Sequence, residues 1–375
     1  MEFHRHLQTQ IESKLFKKKV IILVGPRQVG KTTLLRKILS GSEYLFLDGD
    51  DGSLREQLAN ASSGTLRRII GKHKIVFIDE LQRIPNIGLT MKIITDQFPE
   101  VQLIASGSSA LEIHQSIQEP LTGRKWEYFL YPISWQEFAE ELGPIESNAQ
   151  LEHRIVYGMY PDVILSGSEE REVIELLTQS YLFKDVLAYT GVRKPDILNK
   201  LLQALALQIG SEVSYNELSK LLGIDKNTVN KYIDILEKSF IIFQLSSFSR
   251  NLRNEIKNSR KIYFYDTGIR NAIINNFNML DLRADKGALW ENFLISERKK
   301  YNSYHKQYCN QYFWRTTSQK EIDLIEEKNG EIWAYEFKWG TKEKLKIKKD
   351  FEEGYSTKAV LIDRSNYQDF LLPQT

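Results

Sequence analysis

The chain has 375 residues, 42% hydrophobic and 27% charged, a globular composition long enough for two or three domains. A formal net charge of +2 excludes nucleic-acid binding through bulk charge and leaves that role to local clusters. A single cysteine, Cys309, excludes an internal disulfide and a cysteine-based zinc site. It fits a reducing cytoplasm. No stretch approaches the roughly 20 apolar residues of a membrane span, and the N-terminus shows no apolar run of signal-peptide length. The expectation is a cytoplasmic protein with no membrane partner.

The first third carries a nucleotide signature. In "KKKVIILVGPRQVGKTTLLRKIL" the apolar run Val20 to Val24 reads as a buried parallel strand. Gly25, Pro26, Arg27, Gln28, Val29, Gly30, Lys31 and Thr32 then spell a complete G-x-x-x-x-G-K-T. Thr33 and an amphipathic helix with Leu34, Leu35, Ile38 and Leu39 follow. Strand, glycine loop and helix in that order are the context the motif requires. The glycines let backbone N–H groups turn toward phosphate oxygens at a helix N-terminus that favours anions. Lys31 would reach the β- and γ-phosphates of ATP, and Thr32 would ligate Mg²⁺.

"EYLFLD" (43–48) supplies another strand. The buried strand "HKIVFIDE" ends on Asp79 and Glu80. Asp79 would hold the metal shell and Glu80 would activate the attacking water. The plainer reading is a helix N-cap beside a second acid. "VQLIASGSS" ends on Ser106 and Ser108, either of which orients that water or caps the helix starting near Ala110.

The stretches "GPRQVGKTTLL", "VFIDELQRIP", "LIASGSSAL" and "LTGRKWEYFLYPISWQEF" span residues 20–138. Together they resemble the AAA+ ATPases, specifically the prokaryotic branch that joins such an ATPase to an uncharacterised C-terminal domain. The resemblance implies that Ser108 fills the sensor position. It also implies that Arg124 is an arginine finger given to a neighbouring subunit's nucleotide, where it neutralises charge on the γ-phosphoryl group. The alternative is a solvated turn arginine, and Arg83 is a rival finger. A finger acting in trans implies a homo-oligomer.

Residues 150–205 have helix-like spacing and suit a helical lid, with Arg154 and Arg193 as candidates to touch nucleotide. In "SYNELSKLLGIDKNTVNKYIDILEKSFIIFQL" one helix breaks at Gly223 and another starts at Asp225, a good N-cap. The second helix exposes Lys226, Asn227, Asn230 and Lys231 and buries Val229, Ile233 and Leu236. The strand-like runs "FIIFQLSSF" and "KIYFYD" flank a basic linker. This is helix-turn-helix plus wing. Lys226, Asn227 and Lys231 would face DNA from the recognition helix, and Arg250, Arg253 and Lys257 from the wing. The plainer reading is a packing or partner module. The family resemblance also places a winged helix here.

In the last third, "DKGALWENFLISERKKY" reads as a helix with Leu289, Phe293 and Leu294 inward and Glu291 among them. "QYFWRTTSQKEIDLIEEKNGEIWAYEFKWG" reads as a hairpin turned at Lys328-Asn329-Gly330, and "KAVLIDR" as a further strand. Asp323 interrupts the apolar run of the first hairpin strand. Glu336 and Lys338, two apart on the second, share a face opposite Tyr335, Phe337 and Trp339. Antiparallel pairing brings Asp323 close to Glu336. Two carboxylates and a lysine on one face are costly to bury without a job. A divalent metal on Asp323 and Glu336 would neutralise the acids, and Lys338 would stabilise charge on an attacked phosphate or position water. The order Glu291, Asp323, Glu336-x-Lys338 resembles the PD-(D/E)xK nuclease superfamily over about 285–365, which implies catalytic roles for these four residues. A fold relic and a plain surface ion pair are the alternatives. Lys342, Lys344, Lys346, Lys348 and Lys349 add a basic stripe suited to phosphate contacts, or a solvated face.

The expected fold is α/β: a P-loop AAA+ parallel-sheet core (1–145), a helical lid (146–205), a winged helix-turn-helix (206–270) and a PD-(D/E)xK nuclease-like α/β domain (280–375). The expected function is an ATPase with ATP and Mg²⁺ as cofactors. It would act on duplex or branched DNA, assemble as a homo-oligomer, and carry a C-terminal module that binds or cuts DNA. The alternative is a regulatory NTPase switch controlling partner assembly, with an inert C-terminal module.

Overall fold

The apolar run Val20–Val24 forms strand β1 with all five side chains buried. It belongs to a computed structural model that describes residues 2–108, 120–181, 186, 194–249, 259–316, 320–343 and 349–372. The chain divides into two units: Met1–Ile133 with Lys238–Phe240, and Ser134–Glu237 with Ile241–Thr375. No helix among the described residues is long and apolar enough to cross a membrane.

In the first unit, β2 (Leu45–Asp48), β3 (Ile75–Asp79), β4 (Gln102–Gly107) and β5 (Lys125–Phe129) join β1 in the order β2-β3-β4-β1-β5. Every pairing is parallel. A parallel sheet covered on both faces buries both sides of its strands, so β1 and β3 are unbroken apolar runs rather than alternating ones. The helices Lys31–Ile38, Ser63–Ile70 and Ile87–Gln97 bury Leu34, Leu35, Leu66, Ile70, Met91 and Ile94. Because all five strands run the same way, their C-terminal ends share one edge, the edge at which open α/β sheets bind ligands. β4 lies between the strand that feeds the glycine loop and the strand that ends in Asp79.

The second unit holds a seven-stranded sheet, ordered β12-β11-β10-β9-β7-β8-β6. Its strands are β6 (Glu212–Val213), β7 (Ile242–Ser247), β8 (Arg260–Phe264), β9 (Asn310–Arg315), β10 (Glu321–Lys328), β11 (Glu331–Phe337) and β12 (Ala359–Ile362). β7 and β9 pair in parallel through Ser246–Tyr312 and Ser247–Phe313, so one sheet runs across the boundary expected near 270–280. The helices Tyr215–Leu222 and Lys226–Lys238 are joined by Gly223, which caps the first in the left-handed region at φ 64°.

The helices expected as a nucleotide lid pack inside this second unit. Helix Leu151–Tyr157 lies on helix Thr267–Ile273. The contact is so close that a Cβ at Gly268 would overlap the Tyr157 carbonyl. Helix Lys286–Tyr304 buries Leu289, Trp290, Phe293, Leu294 and Ile295, and Trp290 stacks on Phe293 with ring centroids 6.0 Å apart.

Candidate functional site

The glycine loop leaves β1 and turns into helix Lys31–Ile38 with Gln28 at φ 58° and Gly30 at φ 89°, both left-handed. Gly25 presses against the chain leaving β5: a Cβ there would overlap the Leu130 carbonyl oxygen. Arg5, 7% exposed, donates to the Val29 carbonyl (2.8 Å) and the Tyr131 carbonyl (2.6 Å), tying the loop to the same segment. Lys31 Nζ donates to the carbonyls of Gly25 (2.9 Å) and Pro26 (2.6 Å), which keeps the ammonium over the loop. Thr33, two residues beyond Lys31, is exposed.

Asp79, at the end of β3, accepts from Thr32 Oγ1 at 2.8 Å, from the Ser106 hydroxyl, and from the Glu80 amide at 3.1 Å. Thr32 and Asp79 are oxygen donors side by side, the chemistry a Mg²⁺ ion takes. Glu80 sits at φ 47°. Its Oε2 accepts from the Gln82 amide and from Ser108 Oγ at 3.3 Å, and Gln82 also reaches Ser108 Oγ at 3.0 Å. The two serines therefore divide: Ser106 serves Asp79 and Ser108 serves Glu80. Arg124 pairs with Asp96 at 2.7 Å and reaches the Thr122 carbonyl, while Arg83 pairs with Asp50 at 3.6 Å. Arg154, a candidate to touch nucleotide, is instead buried in the second unit as a partner of Glu170 and the Gly158 carbonyl. Arg193 lies outside the described residues.

The C-terminal acids form a different set from the one expected. Glu291 on helix Lys286–Tyr304 and Glu321 and Asp323 on β10 bring carboxylate oxygens within 4.8 Å of one another. Glu336 is not in that group and instead pairs with Lys338 at 3.3 Å. β10 carries a bulge against β9 between Ile322 and Ile325, where Asp323 and Leu324 together oppose Phe313. Asp323 Oδ2 accepts from the Phe337 amide at 2.7 Å. Burial pushes the Asp323 carboxyl up to about 8, and the charge of Glu291 adds to the rise. Lys261 and Lys338 oppose it.

Into this group projects Lys261 of β8, 1% exposed, with Nζ 2.9 Å from Glu291 Oε1 and in contact with Glu321. Tyr263, also on β8, donates its hydroxyl to Glu291 Oε1 at 2.6 Å. The three acids have the donor type for a divalent metal, but a buried ammonium already stands among them. The centre as built does not fit a resident metal. Sequence reasoning missed Glu321, Lys261, Tyr263 and Gln82. The two-residue spacing of Glu321 and Asp323 was a usable sign.

On helix Lys226–Lys238, Lys226, Asn227, Asn230 and Lys231 are exposed and Val229, Ile233 and Leu236 are buried. Asp225 caps it by accepting from the Thr228 amide at 3.0 Å. Arg250, Arg253 and Lys257 lie outside the described residues, as do Lys344, Lys346 and Lys348. Lys342 is exposed, and Lys349 begins helix Lys349–Tyr355.

The parallel sheet, the glycine loop and the Thr32–Asp79–Glu80 cluster define a P-loop ATPase unit. Residues 17–139 match the family model described as AAA domain. Residues 148–280 match a domain of unknown function, DUF8612, and residues 286–371 another, DUF4143. An uncharacterized protein of Mycobacterium tuberculosis is 25% identical over 339 residues, covering 89% of this chain and 73% of its own. One of Methanocaldococcus jannaschii is 22% identical over 331 residues, covering 79% and 73%. The Walker-type ATPase of Pyrococcus abyssi has a similar fold, with a TM-score of 0.53 at 16% identity over 73% of this chain and 96% of that one. The family match supports nucleotide hydrolysis by the first unit.

Proposed function

We propose that this chain is a Mg²⁺-dependent ATPase whose nucleotide cycle acts on DNA. The observation that carries the reading is the cluster at the sheet's C-terminal edge, where Thr32 and Asp79 meet at 2.8 Å and Glu80 is held by Gln82 and Ser108. Lys31 takes the β- and γ-phosphates on its ammonium. Thr32 and Asp79 would hold Mg²⁺, which would supply charge neutralisation on the phosphates. Glu80 takes the proton of the attacking water, with Ser108 fixing its carboxylate. Arg124 is offered to a neighbouring copy, which makes the working form a homo-oligomer. Lys226, Asn227 and Lys231, exposed on the first turns of a capped helix, supply the DNA-facing surface of a winged helix.

Lys31→Ala is expected to abolish nucleotide binding or turnover. Glu80→Gln is expected to bind ATP normally and slow hydrolysis about 10²–10⁴-fold. Wild-type turnover by Glu80→Gln would remove Glu80 from the mechanism. Arg124→Ala is expected to lower turnover with ATP affinity intact. Mixing it with Glu80→Gln should restore part of the activity. A strictly monomeric protein in ATP, with no rescue, would count against a finger in trans. ATP turnover measured with single-stranded, duplex, forked and four-way DNA tests the DNA reading: no stimulation by any of them would overturn it.

For the C-terminal module, the PD-(D/E)xK resemblance offers cleavage through Glu291, Asp323, Glu336 and Lys338. The buried Lys261 between Glu291 and Glu321 favours the second reading, a module that binds without cutting. DNA cleavage with Mg²⁺ or Mn²⁺ that disappears in Asp323→Ala would reverse that preference.

A further inference from the structure

Three carboxylates within 4.8 Å would repel one another strongly unless a cation sits among them. One does. Lys261 reaches Glu291 at 2.9 Å, touches Glu321, and lies over the Phe313 ring at 5.5 Å. Its backbone lies between β7 and β6, opposite Leu245 and Glu212, so the ammonium is delivered from a paired strand. The same side chain thereby ties β8 to β10 and to helix Lys286–Tyr304. An ammonium offers three donors and no acceptor, and a divalent ion beside it would meet a like charge in a buried site.

We propose that Lys261 is the resident cation of this acidic centre, resting on the non-cutting reading of the module: it stands where a divalent metal would otherwise sit among Glu291, Glu321 and Asp323, and it clamps β8 to β10 without a metal. Removing the ammonium while keeping the stem therefore converts the centre into a divalent-cation site.

Mn²⁺ uptake by full-length, nucleotide-free protein, followed by electron paramagnetic resonance, tests this independently of ATP turnover. Wild type and Lys261→Arg should bind no Mn²⁺ at this centre up to ~1 mM. Lys261→Met should bind one Mn²⁺ with Kd on the order of 10⁻⁴ M, and adding Asp323→Asn should abolish the gain. Wild-type uptake that Asp323→Asn removes would overturn the assignment, as would a folded Lys261→Met that takes up none. Should Lys261→Met lose its native circular dichroism, recovery on adding Mn²⁺ supports the assignment, and failure to recover counts against it. DNA cleavage by a wild type that takes up no Mn²⁺ here would remove the non-cutting reading and leave Lys261 as the cation.

Discussion

Glu80 owes its position to two side chains that the acidic strand-end motif does not name. Gln82 and Ser108 both bond its Oε2 and bond each other, so the carboxylate is fixed by a closed triangle. Gln82→Ala should lower ATP turnover by less than Glu80→Gln does. Added to Glu80→Gln, it should change nothing further, because residues acting as a unit are non-additive. Additive losses in steady-state rate would place Gln82 in some other role. At this scale the sequence was legible wherever a motif fixes the spacing, as from Gly25 to Thr32 and at Asp79–Glu80. It was not legible where distant strands deliver the side chains. Nothing near Lys261 announces that β8 will carry it to Glu291, 30 residues away. Asp323 stands out because it breaks an apolar run, but nothing in that run marks Glu291 on a separate helix as its neighbour.

Elements that specify their own ends were readable in advance. The β10–β11 hairpin turns on Asn329 and Gly330, at φ 53° and 83°, the left-handed pair a two-residue turn demands. Helix Lys226–Lys238 starts where Asp225 caps it. How elements associate was not readable. Helices placed as a nucleotide lid pack inside the second unit, and the signal for that is one glycine. Gly268 lets helix Thr267–Ile273 approach the Tyr157 carbonyl, and buried Asp266 beside it accepts from the Met159 amide at 2.7 Å. Gly268→Ala should therefore destabilise the protein by about 1–3 kcal/mol through overpacking. Gly287→Ala, whose Cβ meets nothing within 4 Å, should stabilise by about 0.5–1 kcal/mol. Equal urea midpoints for the two variants would show that this contact is not the tight one.

Across the whole molecule, buried carboxyls set an uncommon pH dependence. Burial raises Asp323 to about 8 and shifts Asp266 and Glu297 upward from their ordinary values. The folded chain then keeps protons that the unfolded chain has released above about pH 4. The stability these groups contribute is complete below that pH and is lost as pH climbs toward 8. Asp285 acts oppositely: burial opposes its ionisation, but hydrogen bonds from Arg283 and Arg270 win and hold it at about 2, so its contribution is lost only in acid. The urea midpoint should fall between pH 5.5 and 8.5, and Asp323→Asn should flatten that fall. A midpoint that rises over the range would contradict the assignment. The seam between β7 and β9 matters before the chain is finished. β7 is complete at Ser247, but its parallel partner begins about 65 residues later. At roughly 5–20 residues per second of synthesis, β7 waits about 3–13 s as an open strand edge on the nascent chain. An unpaired apolar edge is a template for pairing with other chains. The seam that unites the sheet in the finished protein is thus an exposed edge during its birth on the ribosome.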